Sequence, residues 1–397
     1  MGELKKSLAA ALWFAFLAFP LVGVRADFIE KTVSWRWLNL LWVALGAGIL
    51  SYVWRLLLAQ KNKPQAEWTY TQFAMPSIGA QALTHPWSLA LMAMALLVMP
   101  MLTNQYQTSI LITAMMYIVL GLGLNIVVGM AGLLDLGYVA FYATGAYVYG
   151  MLNLYWDWGF WAALPVAGLL AALLGTLLGI PVLRLRGDYL AIVTLGFGEI
   201  IRLVLENSEN ITHGPAGIAN LPKPELLWTK LDFDQQNLYL YYLIFALMAL
   251  AMLTNRRLQN SRMGRAWLAL RENELAAQAM GIDLTKTKLA AFATGAFWAG
   301  IVGVFFAAKS SYINPASFSF HESAIILSIV VLGGMGSVLG VVLAAVLLIL
   351  LPEYLRFLQE YRMVIFGVLM VLTMIFKPDG LVPNARPYYL KEPDESA

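Results

Sequence analysis

Residues 255–288 read NRRLQNSRMGRAWLALRENELAAQAMGIDLTKTK and form the longest polar, charge-rich run that lies between two apolar segments. The run carries the basic residues Arg256, Arg257, Arg262, Arg265, Arg271, Lys286 and Lys288. Loops that stay in the cytoplasm keep an excess of Lys and Arg. We therefore place this segment on the cytoplasmic side of a membrane.

The middle of the segment, residues 264–281, has the spacing of a helix with one partly apolar face. That face would carry Ala266, Leu270, Asn273, Ala277 and Met280. Gly281 stands where a helix-ending glycine belongs, because glycine takes the left-handed conformation without a steric cost. Such a helix suits docking into a groove of a partner protein. A solvated surface helix has the same pattern, and the spacing alone does not separate the two interpretations.

Composition sets the class of protein. The chain has 397 residues, of which 60% are hydrophobic and 12% charged, with a mean hydropathy of +0.70. Soluble domains carry about 25% charged residues, so we predict an all-α, polytopic transmembrane bundle, in which helices satisfy the backbone polar groups in lipid. The net charge of +3 does not indicate a nucleic-acid partner. Cysteine is absent, and His85, His213 and His321 lack metal-ligand spacing, so no metal, cofactor or catalytic site is predicted.

The apolar runs on both sides of the basic segment predict about ten to eleven transmembrane spans. Each run is close to the length needed to cross about 30 Å of hydrocarbon. A charged tail inside the cell requires residues 324–351 to enter the membrane and return as two half-helices. The other predicted spans are residues 8–24, 38–59, 87–102, 110–128, 138–152, 161–183, 189–205, 238–253, 289–308 and 363–376.

Two of these regions are interrupted by glycine. The first contains Gly129, Gly132, Asp135 and Gly137, and the second contains Gly333, Gly334, Gly336 and Gly340. Irregular backbone at membrane depth is tolerated only beside protein or a water-filled cavity, so we expect the two breaks to lie near each other and to shape a translocation path. Two alternatives stay open: Asp135 in a tight cytoplasmic turn, and glycines that only let helices pack closely.

Outside the membrane, residues 206–237 and 309–323 form the two loops that the span count places on the extracytoplasmic side. We expect them to offer a docking surface. Within the preceding span, Glu199 and Arg202 stand three residues apart on one face, so they are predicted to pair, either at the interface or buried.

Three longer motifs resemble the LivM-type permeases of branched-chain amino-acid ABC importers. They are GMAGLLDLGYVAFYATGAY at 129–147, RGDYLAIVTLGFGEIIR at 186–202 and GRAWLALRENELAA at 264–277. The resemblance covers about residues 107–387, which would be the permease core. Residues 1–106 would then be an N-terminal extension with about three helices and a cytoplasmic linker, and residues 388–397 a polar tail.

The resemblance implies a role in coupling for the cytoplasmic helix. Permeases of this kind carry a Glu-Ala-Ala, three residues, Gly signature, which Ala276, Ala277 and Gly281 match, while Leu275 fills the Glu position and Glu274 stands one place early. Implied coupling residues are Gly264, Ala266, Leu270, Glu274, Ala276, Ala277, Met280 and Gly281.

The implied assembly is a heterodimer with a LivH-like permease, two cytoplasmic ATPase subunits that bind ATP and Mg, and a periplasmic Leu/Ile/Val-binding protein, in a bacterial inner membrane. A urea or short-chain amide permease shares this family. A self-sufficient secondary transporter would need internal ion-coupling groups, and few charges lie inside the spans. A membrane enzyme would need an acid/base or metal constellation that three scattered His do not provide.

Overall fold

The computed structural model describes residues 24–27, 32–35, 96–101, 103–183, 185, 187–224 and 233–354, with isolated positions at 38, 41, 367–368, 370–371, 375 and 380–382. The chain divides into two compact units, Met1–Gln81 and Ala82–Ala397. In the first unit, β1 (Val24–Asp27) and β2 (Thr32–Trp35) form an antiparallel hairpin with Val24 opposite Trp35. The sequence patterns did not predict this hairpin. The spans predicted at 8–24 and 38–59 lie almost wholly outside the described residues, and the span predicted at 363–376 lies mostly outside them.

The second unit is helical. Among the described residues, five segments are long and apolar enough to cross a membrane: Gln105–Met130, Phe160–Val182, Gln235–Gln259, Leu284–Ser310 and Pro315–Gly333. The helices of the described part include α1 (Gln105–Leu124, continued by a π-helical turn Asn125–Met130), α2 (Val139–Trp156), α3 (Phe160–Val182), α4 (Asp188–Asn207), α5 (Glu209–Thr212), α6 (Phe233–Gln259), α7 (Arg262–Glu272), α8 (Glu274–Ala279), α9 (Leu284–Ser310), α10 (Phe320–Gly333) and α11 (Val338–Tyr354).

The core of this unit is built around α9, which packs against α1, α2 and α3. The α2 and α9 backbones touch where a β-carbon on Gly145 would lie 2.0 Å from the carbonyl oxygen of Gly300. Small residues at such crossings let membrane helices approach closely. On the far side of α3, Leu169, Leu173 and Leu177 recur every four residues and are about 60% exposed, at 64%, 63% and 59%. This apolar, exposed face suits contact with lipid.

Both glycine-rich regions interrupt helices, as the sequence predicts. After the π-helical turn, residues 131–138 leave the helix before α2 begins, and residues 334–337 separate α10 from α11. Gly333 and Gly340 then meet, because a β-carbon on Gly340 would lie 2.0 Å from the Gly333 carbonyl oxygen. The stretch predicted as two half-helices is therefore two helices folded back at a glycine turn.

At the end of the bundle opposite the basic segment, two connecting loops are joined. The strand β3 (Ile218–Ala219) pairs antiparallel with β4 (Tyr312–Ile313), and Ile218 lies opposite Ile313. These are the two loops predicted to form one surface. The pairing between Glu199 and Arg202 is also confirmed, with Arg202 Nε 2.9 Å from Glu199, and Arg202 contacts Glu206 at 2.7 Å as well.

Candidate functional site

The middle of the basic segment folds as two helices rather than one. The prediction of a continuous helix over 264–281 is wrong, because α7 ends at Glu272 and α8 begins at Glu274. Asn273 has extended backbone, and its side chain accepts hydrogen bonds from the amides of Leu275 and Ala276 at 2.9 and 3.1 Å. Asparagine is among the best residues at a helix N-cap. The polar residue assigned to a helix face therefore starts a new helix.

The start of α7 and the end of α8 are set by local sequence signals. Ser261 caps α7 by accepting from the Gly264 amide at 3.1 Å. Gly264 is required at the corner with α6, because a β-carbon there would lie 1.9 Å from the Leu258 carbonyl oxygen. Gly281 has φ +80° and closes α8 as predicted, with the Ile282 amide donating to the Ala277 carbonyl at 3.1 Å.

Burial divides the residues of the predicted apolar face. Leu270 and Ala277 are each 3% exposed and pack inside this chain, whereas Met280 is 82% exposed. The break at Asn273 turns α8 away from the direction of α7, so the predicted stripe is not one continuous surface. Beside Met280, Leu275 is 65% exposed. The exposed apolar side chains of this region are therefore different from most of those predicted.

A buried ion pair holds α8 against the bundle. Lys288, whose side chain is 3% exposed, lies 2.7 Å from the carboxylate of Glu274, which is 20% exposed. Next to it, the Trp267 indole, fully buried, donates to the Thr287 carbonyl at 2.9 Å. At the start of α9 the Lys286 amide donates to Asp283 and holds the pKa of that carboxyl below its ordinary value. Glu274, whose role the sequence left open, is thus an internal partner.

The helix pair is hydrogen-bonded to the first glycine break. Arg271 Nη1 donates to the carbonyl oxygen of Gly129 at 2.6 Å. Gly132, at φ +72°, lies directly on the Arg271 side chain, whose Cγ would be 2.8 Å from an added β-carbon. The predicted coupling segment and the predicted path segment are therefore in direct contact.

The two glycine breaks also contact each other, which confirms that they lie close together. The amide of Gly336 donates to the Asn125 side chain at 2.8 Å, and a β-carbon on Gly129 would lie 2.5 Å from the Gly336 nitrogen. Gln259, the last residue of α6, donates to the Gly336 carbonyl at 2.6 Å. Sequence reasoning missed Asn125, although one amide side chain in an apolar run was a usable signal.

Asp135 is fully buried and shapes its own segment. Its Oδ1 accepts from the Gly137 amide at 2.9 Å. Among the described residues its Oδ2 has no hydrogen-bond partner. Gly137 is required here, because a β-carbon would lie 1.9 Å from the Thr194 carbonyl oxygen on α4. In this conformation Asp135 holds the shape of the break.

A groove of about 310 Å³ opens where these parts meet. It is lined by residues 131–133 of the first break, by Leu185, Gly187 and Leu190, and by residues 270–275 at the junction of α7 and α8. Among the described residues, no cluster of three or more His, Asp or Glu side chains is placed to hold a metal ion. Apolar spans, broken membrane segments and an attached polar helix pair define a transport protein of the membrane.

The comparisons with known proteins identify the kind of permease. The chain belongs to the family described as branched-chain amino acid transport system / permease component, whose profile matches residues 106–374. It is therefore a multi-pass permease subunit of a bacterial ABC importer and not itself a catalytic enzyme. No solved structure matches the chain.

Individual relatives agree with this assignment. The high-affinity branched-chain amino acid transport system permease protein LivM of Salmonella typhimurium is 41% identical over 96% of this chain and 95% of the relative. The LivM protein of Escherichia coli is also 41% identical, over 96% of this chain and 94% of the relative. The LivH protein of Escherichia coli is 25% identical over 67% of this chain and 91% of the relative.

Proposed function

We propose that this chain carries branched-chain amino acids into the cytoplasm as one half of a permease heterodimer, and that separate ATPase subunits, which bind ATP and Mg, drive it through α7 and α8. One observation carries the coupling mechanism: Arg271 in α7 is bonded to the carbonyl of Gly129 in the first membrane break. A displacement of α7 is then transmitted to the break without an intervening loop.

The ATPase contact is proposed at two exposed apolar side chains, Leu275 in α8 and Met280 directly after it. Exposed apolar residues in a polar segment suit a partner's groove. The excess of Lys and Arg favours a cytoplasmic position for this end of the bundle, and ATP is available there. The opposite end, with the joined loops at β3 and β4, is proposed to receive a periplasmic binding protein for Leu, Ile and Val.

The docking proposal is tested by co-purification of the ATPase subunits with this chain. We expect Met280→Asp to lower ATPase recovery at least tenfold, because a buried carboxylate costs more than the apolar contact it replaces. Asn260→Asp, at an exposed position of the same segment, is the matched control and should retain the subunits. Equal recovery in both variants would contradict the docking surface.

The coupling mechanism is tested by leucine uptake and ATP hydrolysis in proteoliposomes that hold the full importer. Arg271→Met should retain ATPase subunits but lower leucine uptake per ATP about tenfold, since a charge-assisted hydrogen bond contributes about 1.5–3 kcal/mol. Arg265→Met removes a hydrogen bond from an exposed arginine to the Asn260 carbonyl in the same segment. It should change neither the retention of the ATPase subunits nor the leucine uptake per ATP. An unchanged leucine uptake per ATP in the Arg271 variant would refute the proposed coupling through Gly129. Uptake of urea instead of leucine would refute the proposed substrate.

A further inference from the structure

A polar stripe runs along α1 in the half of the span far from the basic segment. Ser109, Thr113 and Tyr117 follow one another at intervals of four residues, so they lie on one side of the helix. All three are partly exposed, although 78% of the residues in the apolar 18-residue stretch of this span are buried. Polar side chains therefore occupy accessible positions in an otherwise enclosed membrane helix.

Two side chains of opposite charge meet this stripe. Lys309, near the end of α9, donates to the Ser109 carbonyl at 3.0 Å and to the Thr113 hydroxyl. The Tyr117 hydroxyl donates to a carboxylate oxygen of Glu322, in the first turn of α10. Thr113 and Tyr117 are four residues apart, which is about 6 Å along the helix axis. The ammonium and the carboxylate are therefore bound by side chains that stand one helical turn apart on α1.

The stripe reaches deep into the membrane. Tyr117 lies about 18 Å along the helix from Gln105, near the middle of the Gln105–Met130 span. Lys309 reaches this stripe from the last turn of α9, and Glu322 reaches it from the first turn of α10. Ionisable side chains within a span are costly and mark pathways for ions or substrates. Both Lys309 and Glu322 are only partly buried. Each therefore retains surface that a passing solute can reach.

An aromatic cluster adjoins the charged pair. Phe306 lies one turn before Lys309 on α9, and Phe318 precedes Glu322 by four residues. The Tyr142 ring contacts both phenyl rings, with centroid distances of 5.4 and 5.3 Å. Apolar surface and separated charges of both signs therefore lie together.

We propose that Lys309 and Glu322, with Thr113 and Tyr117, form a transient binding site for the zwitterionic group of an α-amino acid on its way through the membrane. Lys309 would bind the α-carboxylate and Glu322 the α-ammonium, while Phe306, the partly exposed ring of the cluster, contacts an apolar side chain. Hydrogen bonds in which the donor or the acceptor is charged are about twice as strong as those between neutral groups. The inference rests on the proposed function and names the part of the path that meets the substrate's charges.

Charge-removing variants test the proposal in proteoliposomes that hold the complete importer, its binding protein and ATP. Glu322→Gln and Lys309→Met should each lower the leucine taken up per ATP hydrolysed at least tenfold, equivalent to about 1.4 kcal/mol. The matched control is Glu353→Gln. Glu353 also accepts a hydrogen bond from a tyrosine of α1, but this tyrosine is Tyr106, at the outer end of the helix. This variant should leave the ratio unchanged.

The outcomes separate this inference from the proposed function. If the wild-type importer takes up no leucine, the proposed function fails. If the wild type transports leucine and both charge variants keep its ratio of uptake to ATP hydrolysis, the site is refuted.

Thiol labelling tests the site even if a charge variant fails to assemble, and the natural absence of cysteine keeps the readout clean. In the wild-type background, Thr113→Cys should react with a hydrophilic methanethiosulfonate reagent added outside, and leucine with its binding protein and ATP should slow the reaction. Thr176→Cys, on α3 between the exposed Leu173 and Leu177, should react at least tenfold more slowly. Equal rates at the two positions, or a Thr113→Cys rate that leucine leaves unchanged, would overturn the proposal.

Discussion

The ion pair between Glu274 and Lys288 gives the sharpest energetic prediction. Its charged atoms are 2.7 Å apart, and the Lys288 side chain is 3% exposed. With the effective dielectric constant of about 20 that suits protein sites, the attraction at this distance is about 6 kcal/mol before desolvation is subtracted. Removing one partner of a buried pair costs about 3–5 kcal/mol, because the other charge stays buried. The two single substitutions should therefore differ in cost.

Glu274→Gln should destabilise the chain by about 2–3 kcal/mol, at or below the lower end of that range, because the amide oxygen can still accept one bond from the ammonium. Lys288→Met should cost only about 1 kcal/mol, since Glu274 is 20% exposed and can be hydrated. In the Lys288→Met background, Glu274→Gln should cost almost nothing. The expected coupling energy is therefore about 2 kcal/mol.

The assay is a double-mutant cycle on the free energy of unfolding, measured by titration with a denaturing detergent in mixed micelles. ATPase co-purification is measured on the same four proteins. A coupling energy below about 0.5 kcal/mol, the limit of additivity for independent sites, would refute the buried pair. Loss of ATPase subunits on Glu274→Gln that persists in the Lys288→Met background would show that Glu274 contacts the partner directly.

Two further predictions concern packing and sidedness. Gly145→Ala should impair assembly strongly, because its β-carbon would lie 2.0 Å from the Gly300 carbonyl oxygen, and membrane expression should fall well below that of Gly196→Ala, where no atom lies within 4 Å of an added β-carbon. Equal expression of the two variants would contradict the backbone contact. Cysteines at the exposed positions Asn220 and Ser317 should be labelled from outside intact cells and crosslink to the binding protein. Labelling from the cytoplasm alone would reverse the proposed orientation and remove the docking surface.

The sequence by itself determined the class of protein and the two places where glycines interrupt its membrane segments. Hydrophobic runs of membrane length are sufficient for this, because lipid requires the backbone polar groups to be satisfied within helices. Glycine positions were also informative, since Gly132, Gly281, Gly334 and Gly336 all have positive φ. The helix end at Gly281 was predicted from local steric reasons that involve no distant residue.

Only the tertiary structure decided which side chains meet. Helical periodicity placed Asn273 on a face and did not show that its side chain would cap a new helix. It also could not separate Ala277, buried against this chain, from the exposed Met280. The spacing of residues along the sequence does not predict such differences, because burial depends on which other elements pack against each face of a helix.

The contacts that join the helix pair and the two glycine breaks are of this long-range kind. Arg271 meets Gly129 across 142 positions of sequence, and Asn125 meets Gly336 across 211. Glycine spacing predicted that the two breaks belong together but not the amide and guanidinium that join them. No local pattern encodes such pairs, because the packing of α9 against its neighbours brings distant segments into hydrogen-bonding distance.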